Sequence, residues 1–229
     1  SHGFCIYRGW MLKPKKYREL YERLYHRGVL LINNPDEYDR CHLFPNIYKD
    51  IEGYTPKAIW YQQNEEIDWN RVNKEFTKFM IKDYVKSVKG ADFPSFFMTP
   101  VKKEAMKDYI NQFIQLREPL FTKGIVIKEF VDLKRYLDIT NEYRVFYLKG
   151  QVLTLSKNSN QVDDCPEVPA KFVEKFRGLK SNFYTVDYAE LTDGKWIVIE
   201  TGDGQVSGLS PNQCISHFYD RLCSILSAK

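Results

Sequence analysis

The stretch Phe183-Tyr184-Thr185-Val186-Asp187-Tyr188-Ala189-Glu190-Leu191-Thr192-Asp193-Gly194-Lys195-Trp196-Ile197-Val198-Ile199-Glu200 reads as two strand-like runs joined at Asp193-Gly194, a dipeptide that favours a two-residue hairpin turn. Closing the hairpin on that turn sets Asp187 opposite Glu200. Directly opposed residues have Cβ atoms about 4.5–5.5 Å apart, where like charges weaken a sheet unless something compensates them. The neighbours Val186, Tyr188, Ile197, Val198 and Ile199 make the setting apolar, so an uncompensated charge there is costly. A magnesium ion, which takes one or two carboxylates and keeps waters and nucleotide phosphates, supplies the compensation. In the competing reading one of the two caps a turn or meets an arginine.

Beyond Glu200 the chain continues Thr201-Gly202-Asp203-Gly204-Gln205-Val206-Ser207-Gly208, a glycine-rich run that lets backbone approach a ligand but lacks the lysine of a Walker-type loop. Upstream, Glu142 to Ser156 reads as a second hairpin turning at Gly150-Gln151. Arg144 then shares a face with Phe146 and Leu148, and Lys157 falls opposite it, a facing pair of cations that suggests an anion between them. Lys82 and Lys128 also sit inside apolar strand-like runs; the plainer reading has them reaching out to water from edge strands. Lys13, Lys15, Lys16, Arg18, Arg23 and Arg27 read as an ordinary solvated helix face. The four histidines are isolated, and His42 beside Cys41 reads as structural.

The rest of the chain alternates helices and strands. Phe4 to Tyr7 opens as a strand, Tyr17 to Tyr25 has helical spacing and stops at Gly28, and Val29 to Ile32 is a short buried strand. Asn33-Asn34-Pro35 starts a second helix and Thr55-Pro56 is expected to cap another. A helix from Trp69 to Lys78 precedes the strand-like Phe79 to Val85 and the basic stretch with Lys86, Lys89 and Gly90. Thr99-Pro100 is expected to cap a helix to Arg117, Gly124 to Val131 is a strand, and Ser210-Pro211 starts the last helix. The expected organisation is an α/β unit at 1–75 and an α+β region at 76–229.

The chain has 229 residues, 43% hydrophobic and 15% aromatic, enough to bury a core and too apolar for disorder. Its apolar runs fall far short of the ~20 residues of a spanning helix, and its first residues lack the charged start and apolar stretch of a signal peptide. Five scattered cysteines fit neither a zinc site nor a disulfide framework, so free thiols in a reducing, cytoplasmic setting are expected. With 34 basic and 30 acidic residues the net charge is +4, too mild for a dedicated nucleic-acid coat but favourable to an anionic ligand.

The order of strand-borne lysine, basic glycine-bearing loop, long helix, strand, Glu-x-Arg strand and final hairpin with Asp and Glu resembles the ATP-grasp fold over about residues 76 to 210. More narrowly, Val186 to Leu191, Asp193 to Glu200, Gly202 to Leu209 and the opening Tyr7-Arg8-Gly9-Trp10-Met11-Leu12 resemble a compact clade of that superfamily known from bacteria and phages. The resemblance implies an α+β fold in which antiparallel sheets and helices enclose a nucleotide cleft, preceded by the small α/β unit. It implies that Lys82 meets the phosphates of ATP, with Lys86 or Lys89 able to exchange roles with it. It further implies that Lys128, Glu129, Phe130 and Val131 meet the adenine, that Glu142 or a neighbour holds the ribose, that Arg144 faces the transferred phosphoryl group, and that Asp187 and Glu200 carry Mg2+. Many family members place Asn two residues after the metal-binding Glu, where this chain has Gly202. Asp203 is the expected substitute, or the site holds fewer ions.

Family members usually phosphorylate a carboxylate and let an amine attack the acyl phosphate, which asks the protein chiefly for positioning and charge neutralisation. Small-molecule or peptide carboxylate and amine substrates are therefore expected, with Arg8 the candidate for binding the acceptor or the substrate carboxylate. Two rivals remain. One is an ATP-dependent enzyme acting on a nucleic-acid end, with Tyr17, Trp60 and Tyr61 contacting the strand. The other is a nucleotide-binding module that does not turn over.

Overall fold

The computed structural model describes residues 3–88, 90 and 92–227, which pack as two compact units. Unit one comprises residues 1–55 and 132–229; unit two is the contiguous stretch Pro56–Val131. This division departs from the expected boundary at 75. The reason is strand pairing, because the run Ala58-Ile59-Trp60-Tyr61-Gln62 joins the sheet of the later unit.

Unit one opens with β1 (Gly3–Cys5), α1 (Pro14–Tyr25) and β2 (Val29–Leu31), β1 and β2 pairing in parallel as a short βαβ crossover. Next come α2 (Pro35–His42) and α3 (Phe44–Ile51). Helix α2 starts where Asn33-Asn34-Pro35 predicts: the Asn34 side chain accepts from the N–H groups of Asp36 and Glu37, Glu37 reaches back to the Asn34 N–H, and Pro35 occupies the first helical position. Tyr17 of α1 and Tyr38 of α2 stack with ring centroids 3.8 Å apart, both fully buried.

Unit two contains β3 (Ala58–Gln62), α4 (Trp69–Glu75), β4 (Lys78–Asp83), β5 (Phe97–Met98), α5 (Lys103–Arg117) and β6 (Gly124–Glu129), with sheet order β3-β6-β4-β5. Thr55-Pro56 therefore leads into a strand, not a helix: the β-branched and aromatic residues after it pair with β6. Thr99-Pro100 is a cis peptide and α5 begins only at Lys103. Alternation along the strands sends Ile59, Tyr61, Phe79, Ile81, Ile125 and Ile127 into a core with Trp69, Val72, Met106 and Phe113 of the two helices. Trp60, Met80, Lys82, Val126 and Lys128 share the opposite face.

Unit one resumes with the small hairpin β7 (Arg135–Tyr136) and β8 (Ile139–Thr140), then β9 (Glu142–Leu148), β10 (Gln151–Lys157), α6 (Ala170–Glu174), β11 (Phe183–Glu190), β12 (Trp196–Asp203) and α7 (Ile215–Ser227). The sheet order is β10-β9-β11-β12, antiparallel throughout. One face carries Tyr147, Tyr184 and Tyr188, whose buried hydroxyls are satisfied: Tyr147 and Tyr188 bond each other at 2.6 Å, Tyr147 donates to the Val173 carbonyl and Tyr184 to that of Phe176. On the other face Phe146, Leu148 and Phe183 pack under Phe218 and Leu222 of α7. The far end of that second face is charged. All five cysteines are free, and among the described residues no helix is long and apolar enough to cross a membrane.

Candidate active site

The charged end holds Glu142, Arg144, Asp187 and Glu200. Asp187 stands directly opposite Glu200 on β12 and directly opposite Arg144 on β9. The expected pair forms, though not by the expected turn. The β11–β12 connection is one residue longer, with Leu191 N–H bonded to Lys195 C=O, Gly194 N–H to Leu191 C=O and Gly194 at φ 83°. Glu190 thus pairs with Trp196 and Tyr188 with Val198; a bulge at Ile199 then restores the offset that sets Asp187 against Glu200.

Both readings of the carboxylate pair are realised together. Arg144 donates from Nε to one Asp187 oxygen at 2.7 Å and from Nη2 to the other at 2.6 Å, a two-pronged clamp, while Nη1 donates to the Gly208 carbonyl at 3.0 Å. Burial disfavours the guanidinium cation, but its bond to Asp187 and the charges of Asp187, Glu200 and Glu142 outweigh that and raise its pKa above the usual arginine value. Arginine therefore enters any anion chemistry fully charged. A carboxylate has about four lone-pair sites, so Asp187 keeps capacity for a metal after the clamp is made. Among the described residues no group of three His, Cys, Asp or Glu is placed to hold an ion. Asp187 and Glu200 as a pair, completed by waters and phosphates, match what magnesium asks of a protein.

Asp203 does not join them. It lies three residues beyond Glu200, an odd spacing that turns it to the opposite face, and it is fully buried. One Asp203 oxygen accepts from the Gln205 N–H at 2.9 Å and the other from Asn33 Nδ2, while Asn33 also brackets the Phe183 backbone through N–H and C=O. Burial raises the Asp203 carboxyl to about 7 against the lowering effect of those hydrogen bonds. Nor can position 202 supply the family's asparagine without adjustment, since a Cβ there would stand 2.8 Å from Ser207 Oγ and 3.0 Å from Thr185 Oγ1. These two hydroxyls bond each other at 2.9 Å and close the glycine-rich loop over the strand.

The Arg144–Lys157 pairing does not form. The β9–β10 turn is Lys149-Gly150, both at positive φ, and a bulge at Leu153 follows. Ser156 consequently opposes Arg144, and Lys157 is paired with Asp163 at 2.9 Å. Arg8 donates from Nη1 to the carbonyls of Gly204 (2.7 Å) and Gln205 (3.3 Å), tying the opening segment to the glycine-rich loop. Glu142 accepts from Thr140 Oγ1, and its N–H donates to Gln161.

In unit two, Lys82 and Lys128 share the face opposite the helices, both only 4% exposed. Lys86 follows β4 in a turn held by Asp83, whose carboxylate takes the N–H groups of Val85 and Lys86 at 2.7 Å each. Lys89 lies outside the described residues. At the end of β6 the N–H groups of Glu129 and Phe130 are bonded to the carbonyls of Lys57 and Lys78, and Val131 closes the unit. Sequence reading missed Lys78, whose ammonium sits 4.2 Å from the Phe96 ring centroid and 4.3 Å from that of Phe130. Its pairing with Met98 was unreadable because β5 is only two residues long.

Two antiparallel sheets, one bearing buried lysines and the other an Arg–Asp–Glu cluster, define the ATP-grasp class of nucleotide-binding architecture. Residues 66–222 match a family described as an ATP-grasp domain, family 3 of its clade, and the chain belongs to that family. Solved structures of similar fold include ATP-grasp ligase PsnB complexed with minimal precursor, at 11% identity, TM-score 0.56, covering 92% of this chain and 68% of that one. D-alanine–D-alanine ligase from Bacillus anthracis complexed with ATP matches at 17% identity and TM-score 0.58, over 89% of this chain and 68% of that one. N5-carboxyaminoimidazole synthetase from Staphylococcus aureus complexed with ADP matches at 11% identity and TM-score 0.64, over 99% of this chain but 61% of that one. At these identities the likeness is one of fold. No curated protein matches the chain by sequence.

Proposed function

We propose that the protein is an ATP- and magnesium-dependent ligase that activates a carboxylate as an acyl phosphate for attack by an amine. The observation that carries this reading is the Asp187–Glu200 pair with Arg144 clamped beside it. In the first step a substrate carboxylate oxygen bonds to the γ-phosphorus as the bond to the β–γ bridging oxygen breaks and ADP departs. In the second, the amine nitrogen bonds to the acyl carbon, phosphate leaves, and the amine loses a proton. Bound magnesium would neutralise phosphate charge, held by Asp187 and Glu200. Arg144 stabilises the charge gathering on the transferred phosphoryl oxygens. Lys82, with Lys86 or Lys89, takes the phosphates; Lys128, Glu129, Phe130 and Val131 take the adenine; Glu142 takes the ribose.

Among similar folds, PsnB is known complexed with a precursor peptide and with Mg and ADP, which favours carboxylate and amine substrates of peptide or small-molecule size. The nucleic-acid reading loses its aromatic contacts, since Tyr17 and Tyr61 are core residues at 0% and 5% exposure. Phosphorus NMR of the protein with ATP, Mg2+ and pooled carboxylate and amine acceptors tests the proposal. Wild type should form ADP and phosphate only when acceptor is present, and Glu200→Ala should lower that rate by about a hundredfold or more. AMP and pyrophosphate, or equal turnover by the variant, would refute it.

Arg8 is proposed to hold a substrate carboxylate with the donors left beyond its two carbonyl contacts. Arg8→Ala should raise KM for the carboxylate substrate about tenfold or more while leaving KM for ATP unchanged. Unaltered kinetics for both substrates would remove Arg8 from the site.

A further inference from the structure

Within unit one a groove of about 550 Å³ runs between β10 and the segment that enters α7. Its volume falls in the ordinary range for small-ligand sites, roughly 300–1,000 Å³. Ser156, Lys157, Gln213, His217 and Arg221 line it, together with Cys214. Two independent features point to a ligand. The first is the concentration of cationic and titratable nitrogen groups, Lys157, His217 and Arg221; among the described residues that line the groove, only Lys157 has an acidic partner, Asp163. The second is Gln213: its Nε2 donates to Thr154 Oγ1 at 2.6 Å, whereas its Oε1 is buried and has no hydrogen-bond partner among the described residues. A buried acceptor left unmade costs about 1–3 kcal/mol. It asks for an N–H donor, just as the cations ask for an anion.

The groove is continuous with the charged end of the sheet. Ser156, on its wall, is the cross-strand partner of Arg144. Ser210 Oγ donates to the Lys157 carbonyl, and the same segment that supplies Asn212 and Gln213 to the groove supplies the Gly208 carbonyl to Arg144.

We infer that this groove is a substrate subsite for a peptide-like molecule, its carboxylate met by Arg221, His217 and Lys157 and a backbone N–H met by Gln213 Oε1. Its role in catalysis rests on the ligase reading; its capacity to bind does not. Such a ligand brings one anion and one donor in a single short unit, which neither a free phosphate nor a simple carboxylate does.

Cys214 provides a reporter inside the groove. Its sulfur accepts from Ser216 and from the backbone of His217, which lowers its pKa and makes it the more readily alkylated. Exposed Cys5 and Cys223 serve as internal controls in the same digest. The probe is a pool of acetylated tripeptides with free C-termini, compared with the same pool amidated. The free-acid pool should slow iodoacetamide modification of Cys214 by about fivefold, the protection expected at a few times Kd, and leave the controls unchanged. The amidated pool should protect little, and Arg221→Gln should abolish protection while thermal unfolding confirms its fold. No protection, or equal protection by both pools, would overturn the inference. The phosphorus NMR assay separates the two readings. Acceptor-dependent ADP release with an unprotected Cys214 removes the groove and keeps the ligase; protection without ADP release under any pool keeps the groove and removes the ligase.

Discussion

Arg144→Lys is expected to lower acceptor-dependent ADP release by about two to three orders of magnitude, the usual cost of losing one preorganised donor to developing charge. The substitution keeps the positive charge and loses the fork. A lysine has a single ammonium and cannot span both oxygens of Asp187 while also reaching the Gly208 carbonyl, as Nε, Nη2 and Nη1 of Arg144 do. Asp187→Asn should fall by a different route, raising the magnesium concentration needed for half-maximal rate, because it removes a ligand charge. If Arg144→Lys retained turnover within about threefold of wild type, the clamp would be a structural ion pair rather than part of the machinery.

The second large effect concerns Asp203 and has a definite sign in pH. Its carboxyl stands near 7 in the fold, against an ordinary value of 3.8. The native state therefore holds a proton that the unfolded chain has released across that interval. Stability from this group is fully present below about pH 4 and is lost as pH rises through 7. The shift corresponds to something on the order of 4 kcal/mol, at about 1.4 kcal/mol per pH unit. Urea unfolding of wild type and Asp203→Asn between pH 4.5 and 8 isolates this contribution, since the variant cannot titrate there. Wild type should lose stability relative to the variant as pH increases, and a flat difference would show that Asp203 is not the group responsible.

The same residue illustrates what the sequence allows one to read. Strand alternation separates positions 200 and 203 onto opposite faces, so the signal against Asp203 as a metal ligand lies in the spacing, where family resemblance outweighs it. The Asp187–Glu200 opposition is legible, but through two departures that cancel, a longer turn and the Ile199 bulge. In the β9–β10 hairpin the shifts do not cancel: the turn falls one residue early and the Leu153 bulge recovers only part of the offset, so Lys157 misses Arg144. Bulges answer to packing across the sheet, which no local pattern reports. Asn33 is illegible for another reason. Locally it is a turn residue beside the Asn34 cap, and its work is done against Phe183, 150 residues away. Elements set by local chemistry, α1, α2 and β6, read closely, whereas Thr55-Pro56 looks like a cap because the partner strand that overrides it is distant.

The contiguity of Pro56–Val131, set against the divided sequence of unit one, has a consequence for how the chain is made. Emerging from a ribosome, the first 55 residues contain βαβ and two helices but lack the sheet on which they settle. Asn33 waits for Phe183 and Asp203, and Tyr17 for Gln205. Meanwhile unit two has every strand of its own sheet once Glu129 is out, and its contacts are comparatively local. The order of maturation is thus the reverse of what the N-terminus suggests: the middle of the protein folds first, and the beginning is completed by the end.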